Sequence, residues 1–375
     1  MLLIEADGKA LLRCHGIAVP DGIETAAPIT DLRGEGPWVV KAQVPVGGRG
    51  KAGGIARCNT LDAINQSLDR LLGSRLKTHL VETCLIEPAA VGTERYLSIM
   101  VDAASYGLRV MYAADGGVDV EESGAVMGLV CPPHPAAVGE ALSELLQGEP
   151  SAWRNQVLSV GRRLAELLLE RELALAEINP LFVSEGRCVA ADAKLVIDLN
   201  VIDRQPALAT LLAQRPTVYA DAGRKLSEGF DYVELDSEGE IGLVTTGAGL
   251  SMMLVDELTD RGMKPLNFCD IRTGQMRGSP VRLIRVLEWI TSRSSLKVIL
   301  INIFAGITDL SEFAGLLSAA IKASPSLQVP VIARLVGRNA DDAKRILHQA
   351  QPGMLVTEDL AEALAGLRKI VGASA

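Results

Sequence analysis

The stretch VVKAQVPVGGRGKAGGI, residues 39–55, joins an apolar run to a segment with five glycines and three cationic residues in all. The run VVKA has the pattern of a strand, and IARC, which starts at the end of the stretch, has the pattern of a second one. Glycines allow main-chain N–H groups to approach phosphate oxygens, and Arg49 and Lys51 add positive charge. We therefore predict a hairpin that closes over phosphate groups. The alternative is a flexible, exposed hairpin with a solvated basic tip.

Two common phosphate-binding motifs do not fit this stretch. Gly50-Lys51 is followed by Ala52, where a P-loop has serine or threonine, and Pro45 stands in place of its first glycine. A dinucleotide-binding fingerprint runs from a strand directly into a helix, whereas this loop continues into a strand. The stretch therefore matches neither of these two motifs.

The second half of the chain alternates between buried strands and amphipathic helices. IGLVTTG at 241–247, LKVILINIF at 296–304 and VPVIARLVG at 329–337 have the apolar pattern of buried strands. Such alternation is typical of parallel βαβ units and predicts an open, doubly wound α/β sheet with ligands at the carboxyl ends of its strands. Residues 213–240 are polar and have no sustained period. We place the domain boundary there, at Asp236, which gives domains of residues 1–236 and 237–375.

Composition and charge restrict the class of protein. The 375 residues are 48% hydrophobic and only 3% aromatic, which indicates a soluble protein with at least two aliphatic cores. The formal net charge of -9 argues against nucleic acid or an anionic membrane as a partner, and no run has the length and apolarity of a membrane span. The six cysteines have no CxxC spacing, which argues against a zinc site and indicates a reducing, cytoplasmic setting.

A second informative stretch is LALAEINPLFVSEGRCVAADAKLVI, residues 173–197. A turn at residues 185–186 would bring Asp192, on the returning strand, beside Asn179 on the first strand. Amide and carboxylate oxygens are ligands that Mg²⁺ accepts next to nucleotide phosphates, so we predict a magnesium site. A polar strand end with a surface carboxylate is the alternative. We interpret Lys194 as an exposed strand residue rather than a phosphate contact.

These motifs, together with INIFAGI at 301–307, resemble the β subunits of succinyl-CoA synthetase and of its relative malate-CoA ligase. The similarity extends from the helix in EADGKALLRCHGIAVP, residues 5–20, to the C-terminal helix. It implies an ATP-grasp domain followed by a flavodoxin-like, parallel-sheet ligase domain. The implied activity is ADP-forming synthesis of a CoA thioester from a di- or tricarboxylic acid, with Mg²⁺, with coenzyme A as co-substrate, and with GTP as the alternative to ATP. The implied setting is a cytoplasmic heterodimer of the tricarboxylic acid cycle.

The resemblance also implies roles for single residues of the first domain. Glu177 orients a phosphohistidine that faces the nucleotide. The nucleotide-binding residues are Lys41, Gly48, Arg49 and Gly50 at the phosphates, Glu87 at the adenine-side hinge and Glu94 on the ribose hydroxyls. The Mg²⁺ ligands are Asn179 and Asp192.

The family's reaction uses a phosphorylated histidine, and no histidine of this sequence lies in the matching motif. In the family, a histidine is phosphorylated, the phosphoryl group then forms an acyl phosphate, and the thiol of coenzyme A displaces phosphate. The chain contains His15, His79, His134 and His348, none of which lies in a sequence like the glycine-flanked histidine loop of the family's α subunit. The resemblance therefore implies an α-subunit partner that carries the phosphohistidine and the CoA site.

Alternatives remain open at this point. One is a succinate-CoA or malate-CoA ligase β subunit proper, and another is a self-sufficient ATP-grasp ligase. A third is a noncatalytic nucleotide-binding subunit, although loss of Glu177, Asn179 or Asp192 would be its expected sign, and all three are present.

Two departures from the family pattern predict an altered acid substrate with at least two carboxylates. Thr246 stands where the family has an asparagine, and a hydroxyl cannot reproduce the fixed donor and acceptor of an amide. CDIRTGQMRG, residues 269–278, replaces a glycine-rich run, and its Arg272 can bind a carboxylate bidentately. A surface arginine paired with Asp270 is the alternative. The segment Gly306, Ile307 and Thr308 resembles the acyl-facing loop of the family.

Overall fold

The computed structural model describes residues 1–32, 35–116, 126–276, 278–306 and 308–372. The chain forms two compact units, Met1–Tyr219 and Ala220–Ala375. No helix in these described ranges has the length and apolar character needed to cross a membrane.

The first unit combines helices with strands that pair in antiparallel fashion. Its helices are α1 (Glu5–Cys14), α2 (Leu61–Leu71), α3 (Pro135–Leu145), α4 (Ser151–Glu170) and α5 (Pro206–Ala213), with a 3-10 helix at Leu199–Arg204. Its strands are β1 (Ile23–Thr25), β2 (Trp38–Ala42), β3 (Ile55–Cys58), β4 (Arg75–Leu76), β5 (His79–Leu80), β6 (Cys84–Pro88), β7 (Thr93–Asp102), β8 (Gly107–Ala113), β9 (Met127–Cys131), β10 (Leu173–Ser184), β11 (Arg187–Ala190) and β12 (Lys194–Ile197).

Two sheets of this unit carry the predicted motifs. The first has the order β1-β6-β2-β3 and packs against α2, while β4 and β5 form a separate hairpin. Strands β2 and β3 pair in antiparallel register, with Lys41 opposite Ile55, so the predicted glycine hairpin is confirmed. The second sheet has the order β11-β10-β7-β8-β9, and β12 also pairs with β10. Because β11 pairs with the second half of β10 and β12 with the first half, the residues between them lie where the returning chain changes partner.

The second unit alternates helices with strands. Its helices are α6 (Ala220–Glu228), α7 (Ala248–Asp260), α8 (Val281–Thr291), α9 (Leu310–Ala323), α10 (Ala340–Ala350) and α11 (Leu360–Val371), with a 3-10 turn at Thr273–Gln275. Its strands are β13 (Asp231–Glu234), β14 (Ile241–Thr245), β15 (Asn267–Asp270), β16 (Val298–Ala305), β17 (Val331–Gly337) and β18 (Leu355–Thr357).

The sheet of the second unit has the order β13-β15-β14-β16-β17-β18. From β15 to β18 all neighbours are parallel, and only the edge strand β13 runs antiparallel to β15. One core cluster lies between the sheet and α8, α9 and α10, and another lies between the sheet and α7 and α11. The predicted doubly wound parallel sheet is therefore confirmed. Apart from the edge strand, its order is that of flavodoxin-like folds.

The boundary expected at Asp236 falls inside the second unit. Strand β13 precedes that residue and pairs with β15, and the first unit ends at Tyr219. Residues 213–240 resemble a linker in sequence. They form only a short helix and a four-residue edge strand, and neither is long enough to give a sustained hydrophobic period.

An aromatic cluster lies in the second unit around Trp289 of α8. The Phe230 ring stacks on the indole with centroids 5.6 Å apart, and the Tyr232 ring meets it edge-on at 5.1 Å. The Arg224 guanidinium lies 5.5 Å from the centre of the indole. These side chains fix α6, β13 and α8 to one another within this unit.

Candidate functional site

A cavity of about 490 Å³ lies in the first unit. This is the usual size of a pocket for a small ligand. It is lined by the glycine hairpin, the end of β6, the middle of β10 and the start of β12. Its lining contains Glu177, predicted to be catalytic, and most residues predicted to bind nucleotide or metal, namely Lys41, Gly48, Arg49, Gly50, Glu87, Asn179 and Asp192.

The Lys41 side chain projects from β2, and its ammonium group contacts three oxygen atoms. Its Nζ lies 2.7 Å from Glu5 Oε1 and 2.6 Å from Glu87 Oε1, and it donates a hydrogen bond of 2.6 Å to the carbonyl of Ala191. Burial on its own would lower the pKa of Lys41, but the carboxylates of Glu5 and Glu87 raise it above its usual value. The side chain is therefore a fixed positive charge at the wall of the cavity.

Helix α1 supplies the buried anion of this site. Glu5 and Lys9 lie one turn apart, and their charged atoms are 2.6 Å from each other. The Glu5 carboxylate also contacts Lys41, and its second oxygen lies 2.8 Å from Arg49 Nη2. Burial alone would raise the pKa of Glu5, yet the three cations around it hold that pKa well below its ordinary range. The charges of α1 and β2 thus form one desolvated network.

The glycine hairpin carries Arg49 into the same network. Besides Glu5, its Nη2 contacts Asp192 Oδ1 at 2.9 Å. Gly48 has a positive φ of 70°, which favours glycine at that position. Lys77 donates a hydrogen bond of 2.9 Å to the carbonyl of Gly47, so the tip of the hairpin is held by a second loop. Arg49 is therefore buried and held by ion pairs, unlike the solvated basic tip of the alternative prediction.

The two glutamates predicted near the base and ribose have different positions. Glu87 lines the cavity, and its side chain is buried with its two oxygens 2.6 and 2.7 Å from Lys9 Nζ. The same carboxylate contacts Lys41, so both cations hold it in place. Glu94 is exposed at the start of β7 and is not among the residues that line the cavity.

Glu177 is buried where β10 passes between β7 and β12. The Tyr96 hydroxyl donates to its Oε2 at 3.2 Å, and Lys194 Nζ lies 3.2 Å from each carboxylate oxygen. Lys194 also lines the cavity. Lys194 is a strand residue with a partly exposed side chain, and antiparallel pairing also places it directly opposite Glu177, a contact that the sequence did not predict.

Asn179 and Asp192 line the cavity on adjacent chain segments. The Ala191 N–H donates to the carbonyl of Pro180 at 3.1 Å, which holds the neighbours of the two residues together. Among the described residues no group of three or more His, Cys, Asp or Glu could hold a metal ion. One amide and one carboxylate nevertheless fit Mg²⁺, since this ion is commonly bound by one or two carboxylates together with substrate phosphates and water.

In the second unit, three loops that the sequence assigned to the acid substrate follow neighbouring strands. Thr246 follows β14, Arg272 lies beyond β15 and Gly306 follows β16. The hydroxyls of Thr273 and Thr308 are 3.0 Å apart, so the second and third loops touch. Ile307, which the sequence placed in the same site, lies outside the described residues.

Asp270 ties the first of these loops to the second. Its Oδ1 accepts hydrogen bonds from the main-chain N–H groups of Gly247 at 3.0 Å and Arg272 at 3.2 Å. The Arg272 guanidinium does not pair with Asp270. Its Nη2 lies 2.8 Å from Asp231 Oδ2 on the edge strand β13, and Asp231 also pairs with Lys225 at 2.8 Å. The alternative prediction, a surface arginine paired with Asp270, is therefore wrong about the partner: Arg272 pairs with Asp231.

Sequence reasoning missed Glu5, Lys9 and Tyr96, which contact the predicted site residues, and it missed the contact of Lys194 with Glu177. A glutamate and a lysine four residues apart on a short helix were the available signal for the first two, but that spacing is also typical of a solvated helix face. The contacts of Glu5 with Lys41 span 36 positions of sequence, and local periodicity carries no information on them.

Comparison with known proteins agrees with this architecture. The family described as "ATP-grasp domain" matches residues 2–183, and the family described as "CoA-ligase" matches residues 244–368. ATP citrate lyase from Methanothrix soehngenii, solved in complex with citrate and coenzyme A, has 18% sequence identity and a TM-score of 0.69 over 97% of this chain and 99% of that one. Fold and domain order thus define an ATP-grasp CoA ligase.

Full-length relatives specify the family. The succinate–CoA ligase [ADP-forming] β subunit of Thioalkalivibrio sulfidiphilus is 34% identical over 394 aligned residues, which cover 99% of each chain. The subunit of the same name from Desulfurococcus amylolyticus is 31% identical over 99% of each chain. The chain belongs to the family of ADP-forming succinate–CoA ligase β subunits and is a subunit of an ADP-forming acid–thiol ligase.

Proposed function

We propose that this chain, paired with an α subunit, couples ATP cleavage to ADP with synthesis of a CoA thioester of a di- or tricarboxylic acid. The phosphoryl group passes from the nucleotide to a histidine of the partner, then to the acid as an acyl phosphate, before coenzyme A displaces phosphate. The partner supplies the CoA site. We place the complex in the cytoplasm, which the six free cysteines of the chain support.

The observation that carries this proposal is the composition of the cavity in the first unit. Lys41 and Arg49 offer positive charge to phosphates, and Asn179 and Asp192 offer oxygen ligands to Mg²⁺. Asn179 and Asp192 would hold that ion, which would supply neutralisation of phosphate charge. Glu177 lies in the same lining, where its carboxylate can hold an imidazole N–H.

Reconstitution tests the proposal. The chain is mixed with an α-type subunit from the same source and supplied with Mg-ATP, coenzyme A and an acid, and the thioester and ADP are measured. We expect both products in a one-to-one ratio from the complex and no thioester from either chain alone. Thioester formation by this chain alone would instead identify a self-sufficient ATP-grasp ligase.

Asp192→Asn should weaken metal-dependent nucleotide binding. The substitution keeps the side-chain shape but removes a formal charge at the proposed Mg²⁺ position. Loss of one charged interaction amounts to about 1.5–3 kcal/mol, so we expect about 10- to 100-fold weaker binding of Mg-ADP. Isothermal titration calorimetry with and without excess EDTA measures the effect, and only the Mg²⁺-dependent part should change.

Asp198→Asn is the matched control. Asp198 caps the 3-10 helix after β12, lies outside the cavity lining, and asparagine is an equally good cap. Its Mg-ADP affinity should equal that of the unchanged protein. An unchanged affinity in Asp192→Asn would exclude Asp192 from the metal site.

We further propose that the acid substrate carries at least two carboxylates and differs from succinate. Support comes from Thr246 and Arg272, since the loops that contain them follow neighbouring strands and are tied together by Asp270. Asp231 holds Arg272 in the absence of substrate and keeps Lys225 as its partner if the guanidinium moves. Gly306 and Thr308 complete the proposed acyl site.

Arg272→Ala should lower kcat/KM for the preferred acid by about 30-fold, because one charge-assisted contact of about 2 kcal/mol disappears. Monocarboxylates, which do not use that contact, should be affected little. The measurement is a panel of succinate, malate, itaconate, citrate and monocarboxylates on the reconstituted complex.

Asp231→Asn separates substrate recognition from loop anchoring. It breaks the same ion pair but leaves the guanidinium in place, so the order of preference among the acids should persist. If succinate is clearly the best substrate and Arg272→Ala changes all acids equally, the specificity proposal is wrong and Arg272 only anchors its loop.

A further inference from the structure

Lys194 is a partly exposed cation in the lining of the cavity. It lies opposite Glu177 across the β10–β12 pair, with Nζ 3.2 Å from each oxygen of the carboxylate. Its side chain is 37% exposed, whereas that of Glu177 is 8% exposed. The Lys194 ammonium therefore contacts the buried Glu177 carboxylate on the side that faces the cavity.

Two other cations of this cavity are more deeply buried. Lys41 and Arg49 have side chains that are 9% and 8% exposed, and each contacts two carboxylates at 2.6–2.9 Å. Removing a partner from a buried ion pair is expensive, while a partly exposed pair is held by little net free energy. Of these three side chains, that of Lys194 is the most exposed to the cavity and solvent.

Glu177 is the acid proposed to face the partner's histidine. An imidazole N–H that approaches this carboxylate must take a position on oxygens that Lys194 now contacts. The ammonium would then be released beside Asn179 and Asp192, which line the same cavity and define the proposed metal and phosphate end. The Glu177 carboxylate thus couples binding of the partner's histidine to release of the Lys194 ammonium.

We propose that Lys194 is a catalytic residue of the phosphoryl transfer. It neutralises Glu177 before the histidine arrives and contacts the oxygens of the moving phosphoryl group afterwards. This inference rests on the proposed function.

The step balances without any further reactant. The bond between the γ-phosphorus and the bridging oxygen breaks, and its electron pair stays on ADP. The lone pair of one imidazole nitrogen forms the new P–N bond, while the other nitrogen keeps its N–H on Glu177. Negative charge is spread over the three equatorial phosphoryl oxygens in the transition state, and a nearby ammonium stabilises it there. Lys194 gives up no proton.

The test is Lys194→Met in the reconstituted complex, with two readouts. Single-turnover phosphorylation of the partner's histidine by Mg-ATP should slow about 100-fold, the size of effect seen when one transition-state donor is removed. The dissociation constant of Mg-ADP, measured by calorimetry, should stay within about twofold, because Lys41 and Arg49 hold the ground-state phosphates. Lys194→Arg, which keeps the charge, should restore part of the rate.

Lys297→Met is the matched control, since Lys297 forms a comparable partly exposed pair with Glu240 at 2.5 Å in the second unit. It should leave both readouts unchanged. A rate for Lys194→Met within threefold of the unchanged protein overturns the inference, and so does an equal loss in rate and Mg-ADP affinity. No phosphohistidine in the unchanged complex would instead overturn the proposed function itself.

Discussion

Glu177→Gln is expected to slow phosphorylation of the partner's histidine by about 1,000-fold, at the upper end of what one electrostatic contact in a transition state contributes. Glutamine keeps the shape of the side chain but removes the charge that would hold an imidazole N–H and that now pairs with Lys194. Binding of Mg-ADP should be unchanged, because it depends on other residues of the cavity. The measurements are rapid-quench single turnovers with Mg-ATP and calorimetry with Mg-ADP on the same complex.

Glu172→Gln controls for the substitution itself. Glu172 precedes β10 and pairs with Arg204, away from the cavity lining. The control should phosphorylate the histidine at the normal rate. A rate for Glu177→Gln within fivefold of normal would contradict the proposed role, as would a phosphohistidine mapped to any of the four histidines of this chain.

Glu5→Ala should reduce the free energy of unfolding of the first unit by about 3–5 kcal/mol, the usual effect of removing one partner from a buried ion network. Three largely buried cations, Lys9, Lys41 and Arg49, would lose a shared anion. Urea titration of the full chain, followed by circular dichroism and fitted with separate transitions for the two units, measures the loss.

Glu170→Ala is the matched control, because Glu170 is 58% exposed and pairs only at the surface with His15 and Arg171. It should change the free energy by at most about 1 kcal/mol. Mg-ADP should raise the Tm of Glu5→Ala more than that of the unchanged protein, since phosphate oxygens would replace the missing anion. A loss below 1 kcal/mol for Glu5→Ala would show that the network does not depend on Glu5.

The second unit was well predicted because its strands are buried on both faces. Such strands appear in sequence as continuous apolar runs, and β14, β16 and β17 each coincide with one. The first unit was predictable only near its glycine-rich hairpin and at β10, where turn residues and strand ends are distinctive. Its remaining topology depends on pairings such as β7 with β10, between segments about 80 residues apart, such as Ser98 and Glu177.

The sequence motifs predicted which residues come together in one cavity, but they could not predict how the side chains are oriented. The motifs placed Lys41, Arg49, Asn179 and Asp192 in one cavity, as the structure does. They could not show that the Glu87 side chain points to Lys9, because that direction is set by a helix 78 positions earlier in the chain. The partner of Arg272 was missed for a similar reason, since Asp231 belongs to an edge strand hidden in a polar stretch.

The aromatic cluster around Trp289 has a practical consequence for spectroscopy. The chain has three tryptophans, and Trp38 and Trp153 belong to the first unit while Trp289 belongs to the second. Replacing Trp38 and Trp153 with phenylalanine leaves one indole, whose emission reports only on the packing of Phe230 and Tyr232 around it. Replacing Trp289 instead leaves emission from the first unit alone. Fluorescence of these two variants can therefore separate melting of the nucleotide-binding half from melting of the ligase half.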